Sequence, residues 1–159
     1  MRSGFIGKTL SKLGMSTLTN NTERILRVWF ESGRIFIRTD SGCTFSRPLE
    51  AFPLLKDASG DQRMRYEIGL EGDDIHWAEL DEDIHISSFY ESAEPDPENE
   101  IAAIFRRFPQ LNVSEMARTI GINKALLAKY IYGIKHPSPA RREQILAAIR
   151  TLGREMAEL

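Results

Sequence analysis

The 159-residue sequence contains a single cysteine, Cys43. One cysteine excludes an internal disulfide and a zinc site built from several thiolates, and it is typical of a protein kept in a reducing compartment. No apolar run approaches the roughly 18 residues that a membrane-spanning helix needs. Residues 1–18 contain basic side chains but no continuous apolar core, so they do not resemble a secretory signal. These absences favour a cytoplasmic protein that does not enter a membrane.

The sequence also lacks the motifs of common enzymes. It has no phosphate-binding loop and no Gly-rich dinucleotide fingerprint, and Cys43 has no nucleophile elbow around it. His76, Asp81, Asp83 and His85 contain metal-ligating groups, but their spacing matches no recognised zinc or calcium loop. We therefore expect no enzymatic activity, no catalytic residues, no cofactor and no bound metal, and we expect Cys43 to be buried or inert.

Charge is divided unevenly along the chain. Residues 100–159 carry ten basic and five acidic side chains, a net charge of +5, whereas the other residues carry eleven basic and eighteen acidic ones, a net charge of −7. A basic part beside an acidic part suggests that one of them meets a polyanion, although small domains also differ by several charges by chance. Six acids within Asp73–Asp83 favour either a solvated face or a docking surface for a basic partner, including this chain's own basic part.

The boundary between the two parts lies near Glu91–Asn99. This stretch has two prolines, four acids and no large aliphatic residue, which predicts a short, stiff linker. Whether Met1 or Met15 is the true start stays open. The predicted organisation is an N-terminal extension (residues 1–21), a small α+β domain (22–90), a linker (91–97) and an all-α helix-turn-helix domain (98–159).

Before the linker, the pattern favours strands. The predicted strands are Ile25–Phe30, Arg34–Arg38, a third beginning at Cys43, Tyr66–Leu70 and Ile75–Trp77. Ser32-Gly33 makes the first two a hairpin. Arg47–Lys56 has the pattern of a short helix, with Pro48 in its first turn and Pro53 limiting its regularity. Together these elements predict an α+β domain with one small antiparallel sheet.

After the linker, the hydrophobic period becomes helical. Asp96-Pro97-Glu98 predicts a helix start with Asp96 as the N-cap, and Phe108-Pro109 ends that helix. A final helix is predicted to begin at Ser138-Pro139, and it carries apolar residues at three- and four-residue steps.

Between these helices, two short helices are predicted around a tight turn. Asn112 is placed to cap the first, and Glu115 three residues later completes a capping box. Gly121 suits the left-handed turn that follows, Asn123 caps the second helix, and Gly133 ends it. A helix, a short turn containing Gly and a second capped helix form a helix-turn-helix unit.

The exit from the second helix strengthens this interpretation. Gly133 is followed by the basic Lys135 and then by Pro137-Ser138, which open the next helix. With the preceding motif, residues 98–156 resemble a phage-repressor-like (lambda-repressor-like) helix-turn-helix domain. The resemblance implies that the second helix enters the major groove of DNA. It implies base contacts by Asn123, Lys124, Ala125 and Lys129, a phosphate contact by Lys135, and further backbone contacts by Arg118, Arg141 and Arg142.

The predicted DNA-facing surface departs from that family. Ala125, Leu126 and Ala128 occupy a face on which the family often has polar or basic side chains. Such a face could meet thymine methyl groups, or it could bind protein. The alternative function is therefore a protein-interaction adaptor whose helix-turn-helix does not bind DNA.

The N-terminal part also has a resemblance. The hairpin, the Pro-Leu segment after the third strand, and Ile75-His-Trp77 together resemble a bacterial domain family of unknown function that is suspected to include antitoxins. This implies a regulatory or binding role and supplies no catalytic residues. The whole chain is thus predicted to be a sequence-specific DNA-binding transcriptional regulator. It would act as a homodimer, and in one version as an autoregulating antitoxin whose acidic N-terminal domain captures a small basic, toxin-like protein.

Overall fold

The computed structural model describes residues 23–159, so the predicted N-terminal extension and the choice between Met1 and Met15 lie outside it. The strands are β1 (Ile25–Glu31), β2 (Arg34–Thr39), β3 (Thr44–Pro48), β4 (Glu67–Ile68), β5 (Asp74–Trp77) and β6 (Glu82–His85). The helices are α1 (Pro53–Asp57), α2 (Gly60–Met64), α3 (Glu100–Arg107), α4 (Val113–Ile120), α5 (Lys124–Tyr132) and α6 (Pro139–Ala157), with 3-10 helices at Leu49–Ala51 and Ile86–Tyr90. We call residues 25–95 the sheet region and residues 100–157 the helical region.

The strands form two antiparallel sheets, not the single sheet that was predicted. Their orders are β1-β2-β3 and β4-β5-β6. The predicted hairpin of β1 and β2 is confirmed, with Phe30 opposite Ile35 and Val28 opposite Ile37. Strand β6 was not predicted, because only Ile84 of its four residues is buried and the acidic side chains around it hide the alternation. The fold of the sheet region is α+β.

One apolar core holds the sheet region together. Ile35 and Ile37 of β2 and Ile75 and Trp77 of β5 are completely buried, because alternate side chains of a strand point to the same face. The indole nitrogen of Trp77 donates a hydrogen bond of 2.9 Å to the carbonyl of Arg63. This bond satisfies the one polar group of the largest side chain in the core.

The helix predicted over Arg47–Lys56 is wrong in its bounds. Arg47 and Pro48 complete β3, and a 3-10 turn follows. Helix α1 begins at Pro53, because proline at the first helical position has the right φ and needs no hydrogen-bond acceptor for an N–H. The residue expected to disturb the helix therefore starts it. Helix α2 was not predicted.

The helical region follows the predicted capping pattern closely. Asn112 accepts a hydrogen bond from the Glu115 amide at 3.0 Å, and Asn123 accepts one from the Leu126 amide at 2.7 Å. Gly121 and Gly133 adopt left-handed φ angles of 88° and 78° after α4 and α5. In a complete capping box, the Glu115 side chain would also accept a hydrogen bond from the Asn112 amide. The α4 cap does not include this second bond, and the Glu115 carboxylate pairs with Arg118 instead.

The start of α3 differs from the prediction. Asn99, not Asp96, caps this helix and accepts a hydrogen bond from the Ala102 amide at 2.9 Å. The Asp96 carboxylate instead accepts one from the Glu98 amide, in the turn before the helix. The predicted helix end at Phe108 is confirmed, and so is the predicted start of the last helix after Ser138.

A second apolar cluster fills the helical region. Leu127 of α5 and Ile145 of α6 are completely buried in it. Ala117 of α4 is also buried, and its small side chain lets α4 approach the neighbouring helices closely. The cluster fixes α5 relative to α4, so it determines which side of α5 faces away from the other helices.

Candidate nucleic-acid interface

Three of the residues predicted to contact DNA are exposed around α5. Asn123 and Lys124 lie at its N-terminal end, and Lys135 lies just beyond its C-terminal end. The side-chain oxygen of Asn123 already accepts the capping hydrogen bond of α5. A bidentate contact from Asn123 to adenine would therefore compete with the helix cap. Ala125, next along the helix, is half-buried.

The three arginines predicted to reach the DNA backbone have different surroundings. Arg118 is exposed and pairs with Glu115 on the same helix. Arg142 is also exposed, and its guanidinium donates to both carboxylate oxygens of Glu100 at 2.7 and 2.8 Å. Arg141 is half-buried. Exposed ion pairs of this kind contribute little free energy, so they can be exchanged for a phosphate contact.

The prediction that Ala128 and Lys129 are exposed is wrong. Only 8% of the surface of Ala128 is accessible, and Lys129 is half-buried. Leu126, expected on the same open face, is half-buried against the apolar cluster of the helical region. The physical reason is that helix α1 and the 3-10 helix at Leu49–Ala51 pack against α5. The sheet region thus covers part of the surface that was predicted to read DNA.

We call this contact the seam: it joins α5 and residues 133–135 to segments 49–57 and 82–93 of the sheet region. Ile134 is 8% exposed and belongs to the apolar core of the sheet region, although it lies in the helical region just after Gly133, the C-cap of α5. Tyr132 packs against the same core. Burial in the seam raises the pKa of the Tyr132 hydroxyl, and the nearby carboxylates of Asp57 and Glu50 add to this rise.

Charged groups meet across the seam beside Lys129. Burial lowers the pKa of the Lys129 amine, and the positive charge of Lys135 lowers it further. The carboxylates of Glu82 and Glu91 in the sheet region act in the opposite direction. Burial also disfavours the charged form of Glu82, so the pKa of this carboxyl is raised. Acidic side chains of the sheet region therefore face a lysine that was predicted to face DNA.

This arrangement bears on the acidic run at Asp73–Asp83. Glu82 faces the helical region of the same chain, as one of the two interpretations of this run allowed. Glu79 pairs with Arg65 at 2.8 Å, and Asp83 pairs with His76 at 2.6 Å. Within the chain, Glu79 therefore has an arginine partner and Asp83 a histidine partner.

The predicted linker is held at both ends. Glu94 pairs with Arg34 at 2.8 Å, and Glu91 pairs with Arg47 at 3.2 Å. At the other end, the amide of Asp96 donates a hydrogen bond of 2.9 Å to the carbonyl of Tyr132. The segment therefore follows the sheet region and then joins the end of α5.

Two cavities border the seam. The first, of about 480 Å³, lies between the start of α4 and the side of α5, and its walls include Asn112, Lys124, Ala128 and, from the sheet region, Asp57. The second, of about 420 Å³, we call the cleft. The walls of the cleft include the cations Arg47, Lys129 and Lys135, the carboxylate Glu91, and the apolar side chains Phe52 and Ile134.

Arg47 is a residue that the sequence did not single out. It is only 1% exposed, and its guanidinium donates to the carbonyls of Ser88 and Ala93 at 3.0 and 3.2 Å. Its Nε is buried and has no hydrogen-bond acceptor among the described residues. The sequence carries no sign of this burial, because an arginine at the end of a strand is ordinarily a surface residue.

The residues discussed as possible metal ligands do not assemble into a site. Within residues 23–159, no three His, Cys, Asp or Glu side chains gather closely enough to hold a metal ion. His85 approaches Asp73 at 3.6 Å, away from the pair of His76 and Asp83. Cys43 is exposed, not buried, because it lies in the turn between β2 and β3. In the same described range, no helix is long and apolar enough to cross a bilayer.

The sheet region matches one known family model. Residues 25–95 match the family described as "Protein of unknown function (DUF2442)", which confirms the expectation of a domain from a family of unknown function. No curated protein matches the chain.

Two solved structures are similar to parts of this chain. One, a protein of unknown function from Rhodospirillum rubrum, is 28% identical with a TM-score of 0.39, over 45% of this chain and 94% of its own. The other, from Nitrosomonas europaea and described as a candidate DNA-binding protein, is 15% identical with a TM-score of 0.32, over 78% of this chain and 84% of its own. Both TM-scores are too low to support an argument about this chain.

Proposed function

We propose that α4 and α5 form a helix-turn-helix that binds double-stranded DNA, and that the protein is a cytoplasmic transcriptional regulator, not an enzyme. The observation that carries the proposal is the geometry of the turn. A left-handed Gly121 and an Asn123 cap connect two short helices that share one apolar cluster. Lys124 is exposed at the start of the second helix, where helix-turn-helix domains of the phage-repressor kind contact bases.

The basic charge of the helical region supports the same function. A net charge of +5 over residues 100–159 suits a polyanion, and phosphate contacts supply much of the affinity of DNA-binding proteins. Lys124 and Lys135 are exposed at opposite ends of α5. Ala128 and Lys129, by contrast, can reach DNA only when the sheet region moves away from α5, so the proposal includes an opening of the seam.

The adaptor alternative loses its main argument. It rested on apolar side chains along an open face of α5, and Ala128 is instead buried on a helix against which the sheet region packs. Leu126 packs within the helical region. A second protein would therefore have to displace an existing intramolecular contact to reach these side chains.

The proposal is tested with the DNA just upstream of the protein's own gene. Fluorescence anisotropy with this duplex and a scrambled duplex, across a salt series, measures preference and the number of phosphate contacts. We expect tighter binding to the native duplex and a steep loss of affinity with salt. Lys124→Gln should weaken binding to the native duplex roughly tenfold, because a good base contact contributes about 1–3 kcal/mol. No binding to either duplex at low salt would overturn the proposal.

Arg154→Gln is the matched control for Lys124→Gln. It removes the same charge from an exposed position on α6, away from α5. It should retain most of the affinity, with a small uniform loss from the lower net charge. If the two variants lose affinity equally and for both duplexes, binding is unspecific attraction and α5 is not the recognition helix.

We further propose that the protein binds DNA as a homodimer. One helix-turn-helix makes few contacts, and two of them placed about 34–36 Å apart reach successive major-groove faces. In the autoregulating-antitoxin version, the sheet region would also capture a small basic protein. Sedimentation with and without the duplex tests the dimer, and two protomers per duplex is the expected result.

A further inference from the structure

The cleft combines positive charge with apolar walls. Its walls carry three cations and one carboxylate, so they favour a ligand with about two negative charges. Glu91 is largely exposed, with 72% of its side chain accessible, so solvent screens its charge. The volume of about 420 Å³ falls within the range of small-molecule sites, roughly 300–1,000 Å³.

The cations of the cleft come from both sides of the seam. Arg47 extends from the end of β3, whereas Lys129 and Lys135 belong to α5 and the residues just after it. Arg47 donates to the carbonyls of Ser88 and Ala93, and its Nη1 also lies 3.2 Å from the Glu91 carboxylate. Arg47 thus adds a fixed positive charge to this wall, held in place by the carbonyls that it binds.

Lys129 is the cation of the cleft whose protonated form a bound anion would stabilise most. It is half-buried beside Lys135, and both burial and the second positive charge disfavour its protonated form. A phosphate group carries a charge of about −1.5 to −2 at neutral pH and three acceptor oxygens. The apolar walls formed by Phe52 and Ile134 leave room for a carbon skeleton beside that group.

We propose that the cleft binds a small molecule bearing a phosphate group, held between Arg47 of the sheet region and Lys129 and Lys135 of the helical region. Such a ligand joins the two sides of the seam and stabilises the arrangement in which Ala128 is covered. The second half of the inference rests on the proposed function: because both lysines are also candidate DNA contacts, ligand and DNA should weaken each other's binding by the same factor.

The binding site itself is tested without DNA. Thermal melts of the full chain are recorded with inorganic phosphate and with phenyl phosphate, against sodium chloride at equal ionic strength. We expect a rise in Tm of about 5 °C at saturating phenyl phosphate. A larger effect of phenyl phosphate than of inorganic phosphate indicates an organic phosphate as the ligand, and equal effects indicate free phosphate. No rise with either compound overturns the site.

Variants separate binding in the cleft from general attraction. Lys129→Gln and Lys135→Gln should each remove most of the rise in Tm, whereas Arg154→Gln, which removes a charge on α6, should keep it. Amide shifts of Ser88 and Ile134 in NMR spectra, recorded during titration with phenyl phosphate, give a second readout if a variant melts poorly. A rise in Tm that persists in both lysine variants, without shifts at the cleft, overturns the proposal.

The effect of the ligand on DNA binding is measured last. A negative result in this measurement is distinct from a negative result in the thermal melts, which test the phosphate site. Saturating phenyl phosphate should raise the Kd for the native duplex about tenfold beyond the effect of equal ionic strength. An unchanged Kd overturns the coupling and leaves the phosphate site standing. If the chain binds no DNA under any condition, the proposed function fails while the melts still decide whether the cleft binds phosphate.

Discussion

Two glycines with the same backbone conformation provide a sharp test of how α5 is held. Gly121 and Gly133 both have left-handed φ angles, 88° and 78°. A Cβ at Gly121 would meet nothing within 4 Å. A Cβ at Gly133 would lie 2.5 Å from the carbonyl oxygen of Asp96 and 2.6 Å from its Cβ and amide nitrogen. The two positions differ in the space around them.

This difference fixes the expected free energies of unfolding. Gly121→Ala should cost about 1–2 kcal/mol, because only the left-handed conformation disfavours a side chain. Gly133→Ala carries the same strain and also overlaps backbone atoms, which adds roughly 1–3 kcal/mol. Asp96 cannot easily move aside, because its amide is hydrogen-bonded to the carbonyl of Tyr132 at 2.9 Å. Gly133→Ala should therefore be the less stable variant by about 2 kcal/mol.

Urea unfolding followed by circular dichroism at 222 nm measures both variants. With a denaturant dependence of about 2 kcal/mol per molar urea, the midpoint of Gly133→Ala should lie about 1 M below that of Gly121→Ala. Equal midpoints would show that the chain does not pack tightly between Asp96 and the end of α5. The close contact of the linker with the seam would then be refuted.

Two further predictions concern charged groups. Arg47→Met should lower the free energy of unfolding by about 2–4 kcal/mol, because it leaves buried carbonyl groups without donors. Urea melts measure this loss, and an unchanged midpoint would contradict the buried role of Arg47. The hydrogen bond that His76 donates to the Asp83 carboxylate raises the pKa of this partly exposed histidine. The contribution of the pair to stability is therefore complete below the unfolded pKa of His, about 6.5, and is lost as pH rises through the higher folded value. An NMR titration should give a lower His76 midpoint in Asp83→Asn than in the parent protein, and equal midpoints would rule out the pair.

The helical region was largely predictable because its determinants are local. Each cap of α4, α5 and α6 joins groups three residues apart, and each of the two helix-ending glycines sits where the chain turns left-handed. Such rules depend on neighbouring residues alone. The start of α3 was misplaced by three residues because Asp96 and Asn99 both suit an N-cap, and only the contacts of the surrounding chain decide between them.

The sheet region was less predictable where burial does not follow the residue type. Ile84 is the only buried residue in β6, so no alternation of several apolar residues marked that strand. Arg47 is buried although it is charged, and its partners lie 41 to 46 residues further along the chain. Sequence patterns on this scale do not record which distant carbonyls will surround a guanidinium.

The candidate site shows the same division between local and distant determinants. The exposed positions of Lys124 and Lys135 agree with the helical pattern, which places them at the two ends of α5. The burial of Ala128 and Lys129 depends on α1, which lies about seventy residues earlier in the sequence. The helical periodicity identified the side of α5 that faces away from its own region, and it carried no sign of the second region packed there.

The position of Ile134 affects how the protein unfolds and whether its two regions can be separated. Its side chain completes the core of the sheet region while its amide donates to the carbonyl of Lys129 in the last turn of α5, so the sheet region has no complete apolar core without the helical region. We therefore expect a single cooperative melting transition in calorimetry. A fragment cut within the proline-containing segment at 91–97 would expose Ile134 on one piece and the surface around Phe52 on the other, and both pieces should aggregate more readily than the intact chain.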